Sequence, residues 1–402
     1  MLFPWLKRDL ALLLAARMLR SLTQGFLVIV VPIYLARLGF SAVQIGTLLM
    51  VTTVASAVMV ILVGLGAERW GRKTVLILLA VLQAAGAAGF VFSTAFWLLT
   101  AASALGTIGR GGGAGSGGAF GPFYPAEQPL VTEHVSMPHR NTVFGFLSFL
   151  GVLGGAAGSL LAMLPDHLTR GPAGWRTGYM VLFGLTLAIS LLLIAILLPV
   201  GEKKRPAGKA ALRLSWKLVG KFSLTNAFNG FGIGFLGPLL TYWFYIRFGA
   251  GPGTIGLLFT IVNLVTALPY LLSARLGNTF GMVRTVVVTR TVAVFLTALM
   301  VLAPTYWVAG VLYTLRMAFN TLGNPLRQSF VMGMSREEER STVAAFSNLP
   351  MQITSALSPP LGGWLLDEGL LGIPLLLAAL FQMANVVFYW RFFRQVKNED
   401  LA

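Results

Sequence analysis

The chain alternates long apolar stretches with short polar breaks. Leu38–Ala67, Thr74–Gly109, Asn141–Pro165, Thr177–Gly201, Phe222–Ile246, Phe248–Ala274, Thr291–Leu315, Ser341–Leu366 and Gly369–Trp390 carry no charge. About 20 apolar residues take a helix across the hydrocarbon core of a bilayer. A spanning strand needs only about 10, with apolar and polar positions alternating, and these runs do not alternate. Lipid offers no partner to open backbone groups, so the runs predict helices. The pattern predicts twelve spans, at 10–36, 43–66, 74–93, 96–130, 142–164, 177–199, 218–246, 254–275, 284–303, 305–331, 342–365 and 371–393. Lys7 and Arg8 before an apolar stretch mimic a secretory leader. Arg17 and Arg20 interrupt that stretch and no small-residue cleavage site follows, so it reads as the first span.

Composition narrows the class. Of 402 residues, 56% are apolar and 11% charged, against about 25% charged in a soluble domain. That excludes a soluble enzyme, a disordered chain and, with no cysteine, a disulfide scaffold. The net charge of +17 does not point to nucleic acid, because the basic residues sit between apolar runs and not in a patch with interleaved aromatics. An even span count puts both termini on one side. Nineteen Lys and Arg fall on that side, and four (Arg37, Arg170, Arg176 and Arg247) on the other. The positive-inside rule then places both termini in the cytoplasm, in an inner (plasma) membrane.

The chain is a duplicated half. Arg37, Gly39, Ile45, Gly46 and Leu48 recur 210 residues later as Arg247, Gly249, Ile255, Gly256 and Leu258. Pro125, Gln128, Val131, Arg140, Thr142, Val143 and Phe146 recur 200 residues later as Pro325, Gln328, Val331, Arg340, Thr342, Val343 and Phe346. A weaker echo sets Gly25, Phe26 and Pro32 against Gly230, Phe231 and Pro238. The expected domains are 1–200, a six-helix bundle; 201–217, a basic cytoplasmic linker; and 218–402, a second six-helix bundle. Two parallel six-span halves suit a transporter that rocks about a substrate held between them. An intramembrane enzyme would need convergent His, Asp, Glu or Cys at depth; His134, His139 and His167 fall in loops, and no enzyme activity is expected.

Gly64-Leu-Gly-Ala-Glu68-Arg69-Trp-Gly71-Arg72-Lys73 lies between the second and third spans. It resembles the signature loop of the major facilitator superfamily, with Glu68 where Asp is usual. The resemblance implies an all-α membrane fold and alternating access, with Gly64, Glu68, Arg69, Gly71, Arg72 and Lys73 as a conformational latch. Its second-half copy keeps Gly281 and has Asn278 in place of the carboxylate. Arg110 is similar to the family's fourth-span arginine. Gly145, Gly154 and Gly158 match the spacing of the fifth-span glycine motif of its drug and metabolite antiporters, with Ser159 where Pro is usual. Close helix packing is the leading role for these glycines. Gly113–Gly118 fits the letters of a dinucleotide fingerprint but has no strand before it, so no cofactor is expected. The 109–121 stretch reads instead as a bendable or broken helix.

Charges at depth carry the substrate argument. Arg17, Arg20 and Gln24 are spaced i, i+3, i+7 and share a helix face. Arg20 falls about 15 Å into the first span, and Arg316 sits at similar depth in the tenth. A charge at the centre of a span costs at least about 2.5 kcal/mol and faces an interior or a wet cavity. The sequence shows Arg20, Arg110 and Arg316 no acidic partner, and free guanidinium groups favour carboxylate or phosphate. Asn226 and Asn229 join them as substrate-binding candidates, Asn229 near the repeat counterpart of Gln24. Tyr242–Tyr245 reads as an interfacial aromatic belt. Glu127 is the one acid inside a span, and its repeat mate is Arg327. Pro125, Glu127, Gln128, Pro325, Arg327 and Gln328 are therefore expected to form an inner gate, the prolines kinking their helices. Proton coupling, if present, would use Glu127.

The sequence thus predicts a monomeric secondary transporter of a small molecule. Export of an amphiphile or drug is the first reading. Transport of an organic or phosphorylated anion is the second, and movement of lipid or lysolipid the third.

Overall fold

A computed structural model describes residues 7–109, 121–136, 139–168, 174–202, 216–334 and 340–396. Among them the fold is all helical. The helices are α1 (Arg8–Arg37), α2 (Ala42–Trp70), α3 (Arg72–Phe92), α4 (Phe96–Gly106), α5 (Tyr124–Glu133), α6 (Arg140–Leu161), α7 (Leu164–His167) and α8 (Trp175–Leu197). They continue as α9 (Trp216–Leu236), α10 (Leu240–Phe248), α11 (Pro252–Phe280), α12 (Met282–Met300), α13 (Tyr306–Gly333), α14 (Arg340–Asp367) and α15 (Ile373–Phe393). Each of the twelve expected spans coincides with one of these helices or with a pair.

Helix α4 ends at Gly106, with Thr107 left-handed at φ 51°, and α5 begins at Tyr124. Residues 110–120, most of the stretch expected to bend or break, lie outside the described residues. Pro125 sits in the first turn of α5, where a missing N–H costs nothing, so it starts a helix and does not kink one. Pro325 lies inside α13. The seventh span divides between α9 and α10 at Gly237-Pro238, because proline cannot donate to the helical ladder.

Among the described residues, seven helices are long and apolar enough to cross a membrane on those grounds alone. Outward faces are apolar, with Phe92 84% and Leu302 76% exposed. Exposed Trp70, Trp97, Trp216, Trp307 and Trp390 stand near helix ends, as an interfacial belt requires. Of Tyr242–Tyr245, the two middle residues are not part of that belt, whereas Tyr242 and Tyr245 are half-exposed. Trp243 and Phe244 are fully buried, and the Trp243 indole N–H donates to the Leu371 carbonyl at 2.7 Å. Phe244 packs edge-on against Tyr306 and Tyr313.

The helices form two compact units. One holds residues 1–40, 51–208 and 250–263; the other holds 41–50, 209–249 and 264–402. Thus α2 and α11, the two helices joined by the 210-residue echo, each divide between units. In the first unit Leu10, Leu13, Val75, Leu76, Leu130, Val131 and Leu197 make one apolar core. In the second, Phe222, Val286, Phe330, Tyr389 and Phe393 make another.

Glycines let the helices of each unit approach. A Cβ on Gly154 would lie 2.5 Å from the Met18 carbonyl oxygen, and one on Gly158 would collide with that of Leu22, which fixes α6 against α1. Gly25 meets Gly155 in the same seam, and its echo Gly230 meets Met351 where α9 packs on α14. Gly145 has open space around it and is exposed, so the packing role predicted for it does not hold.

Candidate substrate site

The first unit gathers charge where α1 meets α5. Arg17 and Arg20, one turn apart on α1, converge on Glu127 of α5. Arg17 Nη1 lies 3.2 Å from Glu127 Oε2, and Arg20 pairs with the other carboxylate oxygen. The side chains are almost wholly out of solvent, and Arg20 also lies over the Phe123 ring at 4.3 Å. This corrects the expectation that Arg20 lacks an acidic partner. The Glu127 carboxylate is held by two cations of its own unit. Helix α5 points Glu127 at the arginine face of α1. Two cations on one carboxylate leave a formal charge of +1.

The second unit gathers charge without a carboxylate. Along α12, Thr285, Thr289, Ala293 and Thr297 form a buried i, i+4 ridge, and each threonine hydroxyl donates to the carbonyl four residues back. Arg290 leaves this ridge into the interior of the unit and is 7% exposed. Its Nη1 donates to Asn229 Oδ1 at 3.2 Å and Asn385 Oδ1 at 3.0 Å, and its Nη2 to Asn324 Oδ1 at 3.3 Å. Its Nε is buried without a partner among the described residues. Arg316 donates from Nε to Thr297 Oγ1 at 3.2 Å and lies 6.0 Å from the Tyr313 ring centre. Arg327 has a buried Nε with no partner among the described residues. Arg290 lies within the electrostatic reach of both Arg327 and Arg316. Among the described residues none of the three makes an ion pair with an acid.

The other predicted positions divide. Asn229 belongs to the Arg290 cluster. Asn226 does not: its amide donates to the Ser347 carbonyl at 2.6 Å and pins α9 to α14. Gln24 is half-buried in the first unit with no hydrogen bond among the described residues. Arg110 lies outside the described residues, as do the side chains of Glu68 and Gln328.

In the signature loop Gly71 has φ 95° and begins α3. The carboxylate that caps α3 is Glu202, which accepts from the backbone N–H groups of Arg72 and Lys73. The Arg72 side chain pairs with Glu133, and Lys73 donates to the Leu198 carbonyl. Arg69 is exposed and Gly64 has open space. The loop therefore ties α3 to α5 and to the end of α8. In the second-half copy Gly281 keeps φ 85° at the start of α12.

The sequence reading missed Arg17 as a binding partner, Glu202 as a cap, and Arg290 altogether. Arg290 was hidden by its position at the edge of the charge-free run from Thr291. The i, i+4 threonine ridge beside it was the available signal.

Comparison with known proteins accounts for the architecture. A profile described as Major Facilitator Superfamily matches residues 13–224 and again 222–401. An uncharacterised membrane protein of Saccharomyces cerevisiae, YJR124C, is 23% identical over 416 residues, covering 92% of this chain and 90% of its own. The crystal structure of a bacterial homologue of the human lysosomal transporter Spinster, inward-facing and unoccupied, superposes with a TM-score of 0.74 at 16% identity, covering 99% of both chains. A bacterial homologue of the iron transporter ferroportin, inward-facing, gives 0.76 at 14% identity, covering 96% of this chain and 98% of that one.

Proposed function

The chain belongs to the major facilitator superfamily, and from that premise we propose that it is a secondary transporter of a small organic anion. Transport of small molecules by a multi-pass membrane protein follows from the family; the anion is our reading. One observation carries it: the contrast between the two charge clusters. In the first unit Glu127 neutralises one of two arginines. In the second, Arg290 and Arg316 are buried with neutral amides and a hydroxyl as partners, and the half-buried Arg327 lies within electrostatic reach of Arg290. A guanidinium held away from water without a counter-charge is costly. A solute that brings a carboxylate or phosphate repays that cost when it binds and withdraws the repayment when it leaves. Cationic drugs gain nothing from such a site, so the anion reading displaces amphiphile export as the first.

In this scheme the halves exchange access by rocking, both termini lie in the cytoplasm, and the signature loop holds the α3 end of the first half. The test is a thermal-shift screen of purified protein against organic anions, cationic drugs and lysolipids, in wild type, Arg316→Gln and Arg20→Gln. A ligand at 100 times its Kd stabilises by about 2.7 kcal/mol. We expect stabilisation by anions that Arg316→Gln abolishes. Stabilisation by cationic drugs alone, unaffected by Arg316→Gln, overturns the reading.

A further inference from the structure

Arg290 sits in a pocket built differently from the surroundings of Arg316. Three amide oxygens, from Asn229, Asn385 and Asn324, take up its two terminal nitrogens. Two of those amides are committed on their other side as well, Asn229 to the Met351 sulfur at 3.4 Å and Asn385 to the Thr225 carbonyl. The terminal nitrogens are thus solvated by neutral dipoles, and the positive charge itself is not offset. Beside the guanidinium lies a cavity of about 10 Å³, lined by Arg290, Asn229, Asn320, Gln382 and Asn385 with Ala293 and Val294. That volume suits one small occupant, on the scale of a water molecule. Donors remain free around it. The Arg290 Nε–H is buried without a partner, and the side-chain amides of Asn320 and Gln382 make no hydrogen bond among the described residues.

We infer that this pocket binds one compact inorganic monoanion, of which chloride is the abundant example. Arg290, Asn320 and Gln382 line one cavity with an Nε–H and two amides that have no partner among the described residues, and an anion there offsets a charge that the bilayer interior otherwise makes expensive. Water fits the volume but leaves the charge, and the repulsion from Arg316 and Arg327, untouched. A divalent oxyanion such as sulfate is too large for the cavity. The inference rests on the reading of the second unit as anion-binding and divides its tasks: Arg290 holds the inorganic ion, and Arg316 serves the organic substrate. A bound chloride would let the remaining arginines take a monoanionic substrate.

The experiment measures thermal stability of the detergent-purified full-length chain while chloride replaces gluconate at constant ionic strength. Bromide, nitrate and sulfate are run in parallel, and a small carboxylate forms a separate arm. We expect saturable stabilisation by chloride and bromide, weaker stabilisation by the larger nitrate, and none by sulfate. Arg290→Gln should abolish it. Asn320→Leu and Gln382→Leu should each weaken apparent chloride affinity about tenfold, the loss of one hydrogen bond to a charged group. Arg316→Gln should retain the chloride response while losing that to organic anions. If Arg290→Gln does not fold, the two leucine variants decide. A wild type indifferent to chloride, or a chloride response unchanged by the leucine variants, overturns the inference. Stabilisation by the carboxylate alone, lost in the leucine variants, also overturns it: the pocket then takes the substrate's head group, and the transport reading survives.

Discussion

Asp367, in the last turn of α14, accepts the backbone N–H groups of Ala42 at 2.8 Å and Val43 at 3.0 Å at the start of α2. Both lie in the second unit. The first unit repeats the device with Asp166 of α7, which accepts the Gly253 N–H at 2.7 Å at the start of α11. A carboxylate at a helix N-terminus satisfies orphan donors and meets the positive end of the helix dipole. The helices then come into close contact, a Cβ on Gly46 colliding with the Pro359 carbonyl and one on Gly256 with that of Ser159. Each clasp lies wholly within one unit.

Loss of a capping carboxylate typically costs about 1 kcal/mol. Asp367→Ala, which frees two N–H groups, should lower Tm by a few degrees, and Asp166→Ala by less. The clasps lie in different units and share no partner, so the double variant should show the sum. A double variant no less stable than Asp367→Ala would show that the Asp166 contact carries nothing.

Much of this was legible before any coordinates. The 210-residue echo singled out Gly46 and Gly256, and the structure gives both the same task. The Gly25–Gly230 echo likewise marks matching helix seams. What stayed hidden were partners distant in sequence. Arg17 and Arg20 stand 110 and 107 residues from Glu127, and periodicity shows only that they share a face. Helix α4 ends at Gly106 before a left-handed Thr107, so the helical phase of the start of the fourth span does not carry over to Glu127 on α5. Arg290 is anchored by amides from three other helices, a convergence that no local pattern records.

Glu127 should matter more to stability than either arginine it holds. Glu127→Gln leaves two buried guanidinium groups without their counter-charge, and breaking a buried pair in this way costs about 3–5 kcal/mol. Arg20→Gln leaves Glu127 still paired with Arg17 and relieves the excess positive charge. Its cost should be the smaller. Thermal denaturation of both variants checks the order, and an equal or reversed ranking would show that the triad is not held by its carboxylate.

The two signature glycines make a comparison inside one molecule. Gly71 at φ 95° and Gly281 at φ 85° both occupy a region in which a Cβ is strained, at about 1 kcal/mol or more. Only Gly71 is also crowded, because an added Cβ would stand 2.8 Å from Glu202 Oε2; Gly281 has open space. Gly71→Ala must therefore pay the backbone strain and displace the carboxylate that caps α3. Gly281→Ala should lower Tm modestly, and Gly71→Ala clearly more. In a Glu202→Ala background the extra loss at Gly71 should vanish, and its persistence there would disprove the clash.

The fifth-span glycines should separate in the same way. Gly158 lies where α6 touches α1, and its Cβ would overlap the Leu22 carbonyl, which is backbone and cannot swing aside. Gly145 sits on an exposed stretch of the same helix with open space around it. Alanine is favoured over glycine within a helix by about 1 kcal/mol. Gly145→Ala should therefore leave Tm unchanged or raise it, whereas Gly158→Ala must part α1 from α6 and should lower it sharply. Because α1 carries Arg17 and Arg20, that displacement should also weaken their hold on Glu127. Gly158→Ala combined with Glu127→Gln should then cost less than the two changes measured singly. Strict additivity would mean that the helix seam and the charge triad are held independently.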